Sequence, residues 1–337
     1  MILVVSSPSD AHATVVLRRL ADLGAPAELL DLSRFPTETR LALGYGATAG
    51  TTARIQLTGN RWIDLADVTA IWWRRPQPLG IDPAIRRSGH RTFAYGESHE
   101  ALAGLWLSLD THWVNHPVAT ETAGRKAYQL QVAEDIGLSI PKTCITNDPE
   151  EARAFAAQHP GGVIYKSFSA TEQEWRETRM LREREIAGLG NVAYAPVIFQ
   201  EYIEAVVDLR ITVIGDDIFP AAIHSQKSAY PVDFRMDMAQ VPIEPATLPA
   251  AFKTGLLSLM KRLDIVYGAI DARLTPDGNH VFLEVNPAGQ WLFIEQRTRQ
   301  PITETLARYL ASRGQEPAAR PYSMTLPDRA DPAPQSF

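Results

Sequence analysis

The apolar positions of the first 31 residues predict a strand, a helix and a second strand. Met1–Val5 form a short apolar run, and apolar residues then recur at helical spacing up to Leu23. Gly24 ends that pattern, and the chain returns to the apolar pair Leu29–Leu30. This is one βαβ unit. Its first turn, Ser6–Asp10, lacks the glycines that a dinucleotide-binding unit carries there, so the pattern does not favour that class.

The rest of the first hundred residues predicts a further strand and a helix. Val68–Trp73 read as an apolar strand, and Ser98–Leu109 have helical periodicity. Gly44, Gly46 and Gly50 lie in a stretch of small residues with no strand before it and no helix after it, which favours a hairpin loop or a bend. We expect a first domain to close near residue 118.

The middle of the chain predicts alternating helices and strands. A helix is expected over Thr120–Ile136, before Gly137. It is followed by a strand at 143–145, a capped helix at 148–158, a strand at 163–166 and charged residues at helical spacing over 171–186. Strands dominate from residue 197, and a tail rich in Pro and Ala begins after Gly314. The predicted divisions are 1–118, 119–195, 196–314 and a flexible tail at 315–337.

Composition excludes several classes of protein. The 33 Lys and Arg against 39 Asp and Glu give a formal charge of −6, without the basic excess that a nucleic-acid partner requires. No stretch approaches the roughly 20 apolar residues of a membrane span, so no membrane partner is expected. Cys144 is the only cysteine, which excludes an internal disulfide and leaves no thiolate cluster for zinc. We expect a cytoplasmic protein.

The most informative segment runs from Gly268 to Pro287 and reads as a hairpin around a Pro-Asp-Gly turn. Because side chains alternate along a strand, Glu284 and Asn286 share a face, and Asp271 is available on the partner strand. Two carboxylates and an amide oxygen are ligands that Mg²⁺ accepts alongside phosphate oxygens. The same residues also fit an ordinary hairpin with a solvated polar face.

Three basic residues are candidate phosphate contacts. Arg210 shares one face of a predicted strand with Asp208, and a rigidly held guanidinium can meet phosphate oxygens with a bidentate fork. A surface ion pair between Asp208 and Arg210 is the plain alternative. Lys126, early in a helix, and Lys166, at the end of a strand, are candidate point charges, although most lysines are merely solvated.

Taken in order, these residues resemble the ATP-grasp superfamily. The resemblance implies an α/β (α+β) ATP-grasp fold with an N-terminal pre-ATP-grasp βαβ domain, and the cofactors ATP and Mg²⁺. It implies that Lys126 and Lys166 contact the nucleotide phosphates and that Asp208 binds the ribose. The segment that lines the adenine is Gln200, Glu201, Tyr202 and Ile203. The residues that hold magnesium are Asp271, Glu284 and Asn286, and those that stabilise charge during the reaction are Arg210 and Arg235.

Within that superfamily, Ile71–Pro76 and Asn286–Trp291 resemble the microviridin-type graspetide synthetases. This resemblance, together with Asp233–Arg235, extends over most of residues 1–312. It implies a ligase that joins side-chain carboxylates of a ribosomal precursor peptide to Thr, Ser or Lys side chains of the same peptide through an acyl phosphate. Relatives of this kind are often dimers, which makes a homodimer a candidate assembly.

Two other functions remain open from the sequence. A small-molecule carboxylate–amine ligase of the glutathione-synthetase or glutamate-ligase kind would share every nucleotide-binding residue and differ only in its acceptor. A non-catalytic protein that has kept the nucleotide-binding fold is the second alternative. The intact set of metal ligands and the two lysines argue against it.

Overall fold

The computed structural model describes residues 1–46, 51–168, 178–227 and 241–313 of the chain. The chain forms two compact units. The first combines Met1–Asp10 and Gly24–Trp113 with the described part of Leu310–Phe337, and the second combines Ala11–Leu23 with Val114–Tyr309. Within the described ranges, no helix is both long and apolar enough to cross a membrane.

The elements up to residue 114 are, in chain order, β1 (Ile2–Val5), α1 (Ala11–Asp22), β2 (Ala27–Leu30), β3 (Arg40–Gly44), β4 (Thr52–Gln56), β5 (Trp62–Asp64), β6 (Ala70–Trp73), α2 (Ser88–Ser108) and β7 (His112–Val114). The following elements are α3 (Pro117–Ala123), α4 (Lys126–Asp135), β8 (Thr143–Thr146), α5 (Pro149–Gln158), β9 (Val163–Lys166), β10 (Arg179–Met180), α6 (Glu183–Ala187), β11 (Val197–Glu201), β12 (Val207–Ile214), β13 (Asp217–Ile223), β14 (Ile243–Pro245), α7 (Ala250–Arg262), β15 (Tyr267–Leu274), β16 (His280–Asn286), α8 (Leu292–Thr298) and α9 (Ile302–Arg313).

The first unit contains a four-stranded sheet in the order β2-β1-β6-β7. Strand β1 pairs in parallel with β2 and β6, which places Val4 opposite both Leu29 and Trp72. All four residues of β1 are buried, as expected for a continuous apolar strand inside a parallel sheet. The predicted strand, helix and strand at the start of the chain, and the strand that ends at Trp73, are therefore confirmed.

Two other predictions for the first unit had different outcomes. Helix α2 begins at Ser88 and not at Ser98. The pattern places the start too late because the first turns of the helix are exposed and carry no apolar stripe; Phe93, for example, is 69% exposed. Gly44 is the last residue of β3, which pairs with β4 in an antiparallel hairpin. The hairpin interpretation is confirmed, but the expectation that no strand precedes Gly44 is wrong, because β3 ends at that residue. Gly50 lies outside the described residues.

The second unit contains two antiparallel sheets, in the orders β10-β9-β11-β8 and β14-β13-β12-β15-β16. All eight residues of β12 are buried, since it lies in the middle of the larger sheet. The predicted hairpin is formed by β15 and β16, and Gly278 takes a φ of +86° in its turn. The predicted uninterrupted alternation is wrong at Leu283, because a bulge there shifts the register between Asp271 and Ala272.

The single helix predicted over Thr120–Ile136 is wrong, because α3 ends at Ala123 and α4 starts at Lys126. Arg125 has an extended backbone (φ −76°, ψ 103°) and interrupts the helix. The helical spacing predicted over 171–186 is also wrong at Arg179–Met180, because these residues form strand β10, which pairs with β9. Residues 171–177 of that charged segment lie outside the described part of the chain.

Helix α7 ends in a Schellman motif with an unusual residue at its left-handed position. Asp264 has a φ of +55°; its N–H donates to the carbonyl of Lys261 at 3.2 Å, and that of Ile265 donates to Met260 at 3.0 Å. Gly or Asn is the usual residue there, and a carboxylate at a helix C-terminus faces the negative end of the dipole. Burial raises the pKa of Asp264.

We expect Asp264→Asn to raise the free energy of unfolding at neutral pH by about 0.5–1 kcal/mol, because it removes the carboxylate from the helix end. The folded-state pKa lies above the unfolded one, so the wild type gains stability as the pH falls through the folded pKa. The difference should therefore shrink on acidification. Urea unfolding at neutral pH and at about pH 4 measures the gain in stability and its decrease on acidification. Asp216→Asn, at an exposed turn, is the control; no gain for Asp264→Asn at neutral pH contradicts the prediction.

Candidate active site

Charged side chains form a row across three neighbouring strands of the five-stranded sheet. Arg210 on β12 lies opposite Asp271 on β15, and Asp271 lies opposite Glu284 on β16. Directly opposite residues project from the same face of a sheet. The row therefore brings together one of the predicted catalytic residues and two of the predicted metal ligands.

Arg210 is a fixed cation at one end of this row. Its NH1 donates to Asp271 Oδ1 at 2.8 Å, and its NH2 donates to the carbonyl of Gln290 at 3.0 Å. Burial disfavours the charged guanidinium, but the charge and hydrogen bond of Asp271, together with the charges of Tyr267 and Glu284, outweigh it, so the pKa of Arg210 is raised above its ordinary value. The surface pair of Asp208 with Arg210 that the sequence allowed is wrong, because both side chains are buried and each pairs with a residue of β15.

Lys126 stands at the other end of the row. It is the first residue of α4, and its Nζ donates to Glu284 Oε2. The side chains of Lys126 and Glu284 are about one quarter exposed, at 23% and 25%. Together with Arg210 and Asp271 they give the order cation, carboxylate, carboxylate, cation, so the row is neutral.

Asn286, the third predicted metal ligand, ends β16 two residues after Glu284 and pairs with Ala269. Its Oδ1 accepts a hydrogen bond from the N–H of Ala288 at 3.0 Å, which holds the side chain at the start of a turn. Among the described residues, no group of three or more His, Cys, Asp and Glu side chains could hold a metal ion. The oxygens of two carboxylates and an amide nevertheless fit Mg²⁺, which completes its six ligands with water and phosphate.

The turn after Asn286 packs closely against the row. A side chain on Gly289 would place its Cβ 2.3 Å from the Cβ of Ala269 and 2.9 Å from NH2 of Arg210. Tyr267 also donates its hydroxyl to the Gly289 carbonyl at 2.9 Å. The sequence reveals Asn286-Pro287-Ala288-Gly289 as a motif but does not reveal that its glycine touches the arginine.

The predicted adenine-lining segment lies at the end of β11, in the four-stranded sheet. Gln200 is buried, and its Nε2 donates to Thr143 Oγ1 at 2.9 Å. Its Oε1 is buried and has no hydrogen-bond partner among the described residues. Glu201 accepts from the N–H of Lys142 at 2.8 Å, while Lys166 lies on the neighbouring strand β9, opposite Ile198.

Arg273 links this segment to the five-stranded sheet and is not among the residues predicted from the sequence. Its Nε donates to Asp208 Oδ1 at 2.8 Å and its NH1 donates to the Ile203 carbonyl at 2.7 Å. Its guanidinium lies 5.3 Å from the centre of the Tyr202 ring. The available signal was its position two residues after Asp271 on one strand, which puts both side chains on the same face.

The remaining predicted site residue, Arg235, lies outside the described residues. One row therefore joins four of the predicted site residues, namely Arg210, Asp271, Glu284 and Lys126. Asn286 lies at the end of the same strand as Glu284. Asp208 joins Tyr202 and Ile203 through Arg273.

Comparison with known proteins defines the class. A model of the MvdD pre-ATP-grasp domain matches residues 1–121. The macrocyclase MdnC bound with precursor peptide MdnA from Microcystis aeruginosa MRC is 30% identical over 92% of this chain and 99% of MdnC, with a TM-score of 0.80. A ribosomal-peptide (RiPP)-associated ATP-grasp ligase from Chryseobacterium gregarium, in complex with ADP and a leader and core peptide, is 26% identical over 95% of this chain and 98% of its own, with a TM-score of 0.85.

The ATP-grasp ligase PsnB, complexed with a phosphomimetic variant of a minimal precursor, Mg and ADP, is 26% identical over 93% of this chain and 98% of PsnB, with a TM-score of 0.74. No curated protein sequence matches the chain. The fold is that of an ATP-grasp ligase, an enzyme that uses ATP and Mg²⁺. The chain belongs to the microviridin-type graspetide synthetases, the family of MdnC.

We expect Gly289→Ala to lower the free energy of unfolding by about 1–3 kcal/mol, because its Cβ overpacks the turn against Ala269 and Arg210. Gly104→Ala is the matched control: Gly104 lies inside α2 with open space around its Cβ position, so the same substitution should stabilise by about 0.5–1 kcal/mol. Chemical denaturation of the two variants measures the contrast. Equal effects of the two substitutions contradict the close approach at Gly289.

Proposed function

We propose that this ligase crosslinks a ribosomal precursor peptide: it joins Asp or Glu side chains to Thr, Ser or Lys side chains of the same peptide as esters or amides. The supporting observation is similarity over at least 92% of this chain to ligases whose structures hold a precursor, or a leader and core peptide. The peptide would have a leader and an acidic, Thr-rich core.

The chemistry has two steps. A peptide carboxylate oxygen attacks the γ-phosphorus of ATP. The bond between that phosphorus and the β-phosphate oxygen breaks, so ADP departs and the peptide carries an acyl phosphate. The hydroxyl or amine then attacks the acyl carbon and phosphate departs, with loss of the nucleophile's proton. Such transfer depends on positioning and on stabilising charge rather than on a protein nucleophile.

The charged row supplies those requirements in the proposal. Asp271, Glu284 and Asn286 would hold Mg²⁺, which neutralises phosphate oxygens when bound. Arg210 is the fixed cation for charge that develops on the transferring group and on the tetrahedral intermediate, because its position is set by two hydrogen bonds. Lys126 Nζ, which donates to Glu284 in this structure, would donate to a phosphate oxygen instead.

The other assigned roles follow the family. Lys166 would contact the nucleotide phosphates, and Arg235 would assist Arg210. Gln200, Glu201, Tyr202 and Ile203 would line the adenine. Asp208 would bind the ribose, and its Oδ2, which is buried without a partner among the described residues, calls for a donor such as a hydroxyl.

The proposal also includes a cytoplasmic location, a homodimer, and the division of the chain into domains 1–118, 119–195 and 196–314 with a tail at 315–337.

A small-molecule carboxylate–amine ligase is the second candidate function. D-cycloserine synthetase DcsG shares the fold at 16% identity and a TM-score of 0.59, which supports the fold alone. The acceptor therefore separates the two candidates.

A candidate precursor peptide incubated with the protein, ATP and Mg²⁺ should lose the mass of one water for each ring formed. Glu284→Ala and Asn286→Ala should abolish the loss, because each removes a proposed metal ligand. Mass spectrometry of the peptide and an assay for ADP measure the outcome. An unchanged peptide with ADP formed on free amino acids would favour the small-molecule ligase, and ATP binding without ADP release would favour a non-catalytic protein.

We expect Arg273→Lys to raise the KM for ATP about tenfold, equivalent to about 1.4 kcal/mol, with a smaller change in kcat. Lysine cannot contact Asp208 and the Ile203 carbonyl with one planar fork, so the adenine-lining segment loses its link to β15. Steady-state kinetics with varied ATP measure the two constants. Arg308→Lys, at an exposed helix position, is the control; an unchanged KM for Arg273→Lys contradicts the assigned role.

A further inference from the structure

We propose that Gln129 is a positioning residue that sets the orientation of Glu284 and Asn286. This role rests on the assignment of both residues as magnesium ligands in the proposed function. Gln129 lies on α4 and does not itself belong to the charged row. It acts on the two peptide groups that join these ligands through Val285.

The side-chain amide of Gln129 takes the place of a neighbouring strand. Strand β16 is at the edge of the five-stranded sheet. Gln129 Oε1 accepts from the N–H of Val285 at 2.9 Å, and Gln129 Nε2 donates to the carbonyl of Val285 at 2.8 Å. These are the two bonds that a paired strand residue would make. Val285 is the residue between Glu284 and Asn286, so Gln129 holds the backbone that joins the two ligands.

A third hydrogen bond ties the same amide to the break between the helices. Gln129 Nε2 also donates to the carbonyl of Ala123, the last residue of α3. Lys126 lies three residues before Gln129 on α4, so both side chains project from one face of the helix. One face of α4 therefore contacts the side chain of Glu284 and the backbone of Val285.

Burial makes these bonds difficult to replace. Gln129 is 3% exposed and Val285 is 2% exposed, so water does not reach the amide pair. An apolar side chain at position 129 would leave the N–H and the carbonyl of Val285 without this partner, and unsatisfied buried polar groups destabilise the folded state. We expect the strand to shift toward other partners rather than keep its position.

The position of the Val285 backbone matters because magnesium accepts little deviation from octahedral geometry. A tilt of either peptide group of Val285 changes the positions of the flanking side chains of Glu284 and Asn286. Groups that orient metal ligands in this way typically contribute about 10–100-fold in metal affinity or activity.

The test replaces Gln129 with methionine, which keeps the length and the helix propensity but has no amide. The matched control is Gln131→Met on the same helix, where the side chain is exposed and its amide bonds Asp135. Electron paramagnetic resonance of free Mn²⁺, titrated onto each protein in the presence of ADP, measures metal affinity without any peptide. We expect the Kd for Mn²⁺ to rise about tenfold in Gln129→Met and to stay unchanged in the control.

A merely structural role would lower the melting temperature of Gln129→Met and leave the Kd of the folded protein unchanged, and that result overturns the proposal. If Gln129→Met does not fold, Gln129→Glu keeps the acceptor for the Val285 N–H and loses the donor, so its Kd should rise several-fold; a wild-type Kd there also overturns it. Failure of peptide crosslinking with normal Mn²⁺ binding in the wild type would instead count against the proposed function.

Discussion

The site depends on two carboxylates that face each other on adjacent strands. Asp271 and Glu284 are directly opposite in the register of β15 and β16, a placement that is destabilising for like charges without compensation. Arg210 and Lys126 supply that compensation from the two sides. The fold therefore holds two carboxylates side by side, each neutralised by a cation of its own.

The sequence predicts the local pattern of this arrangement well. The hairpin of residues 268–287 follows from alternation and a Pro-Asp-Gly turn, and both strands form as expected. Membership of the family, the ATP-grasp fold and the use of ATP and Mg²⁺ also agree with the resemblance drawn from the motifs. The roles given to all of the candidate site residues stay predictions, and Arg235 lies outside the described residues.

Other features could not be predicted because they depend on partners distant in the chain. Helical periodicity spans Gly124 without a gap, so the break that makes Lys126 the first residue of α4 is invisible in the pattern. The bulge at Leu283 depends on pairing with β15. Arg273 and Gln129 look like ordinary polar residues of a strand and a helix, and only tertiary contacts give them partners.

The outer edge of β16 has a consequence for how a peptide can approach. An exposed strand edge invites an extended peptide to add to the sheet, which is a common mode of recognition. At Val285 those hydrogen-bonding groups are taken by Gln129, and the N–H of Phe282 donates to the carbonyl of Ser139 at 2.8 Å. Strand addition is therefore blocked beside the charged row, and a peptide reaching Glu284 must be held through its side chains or along other elements.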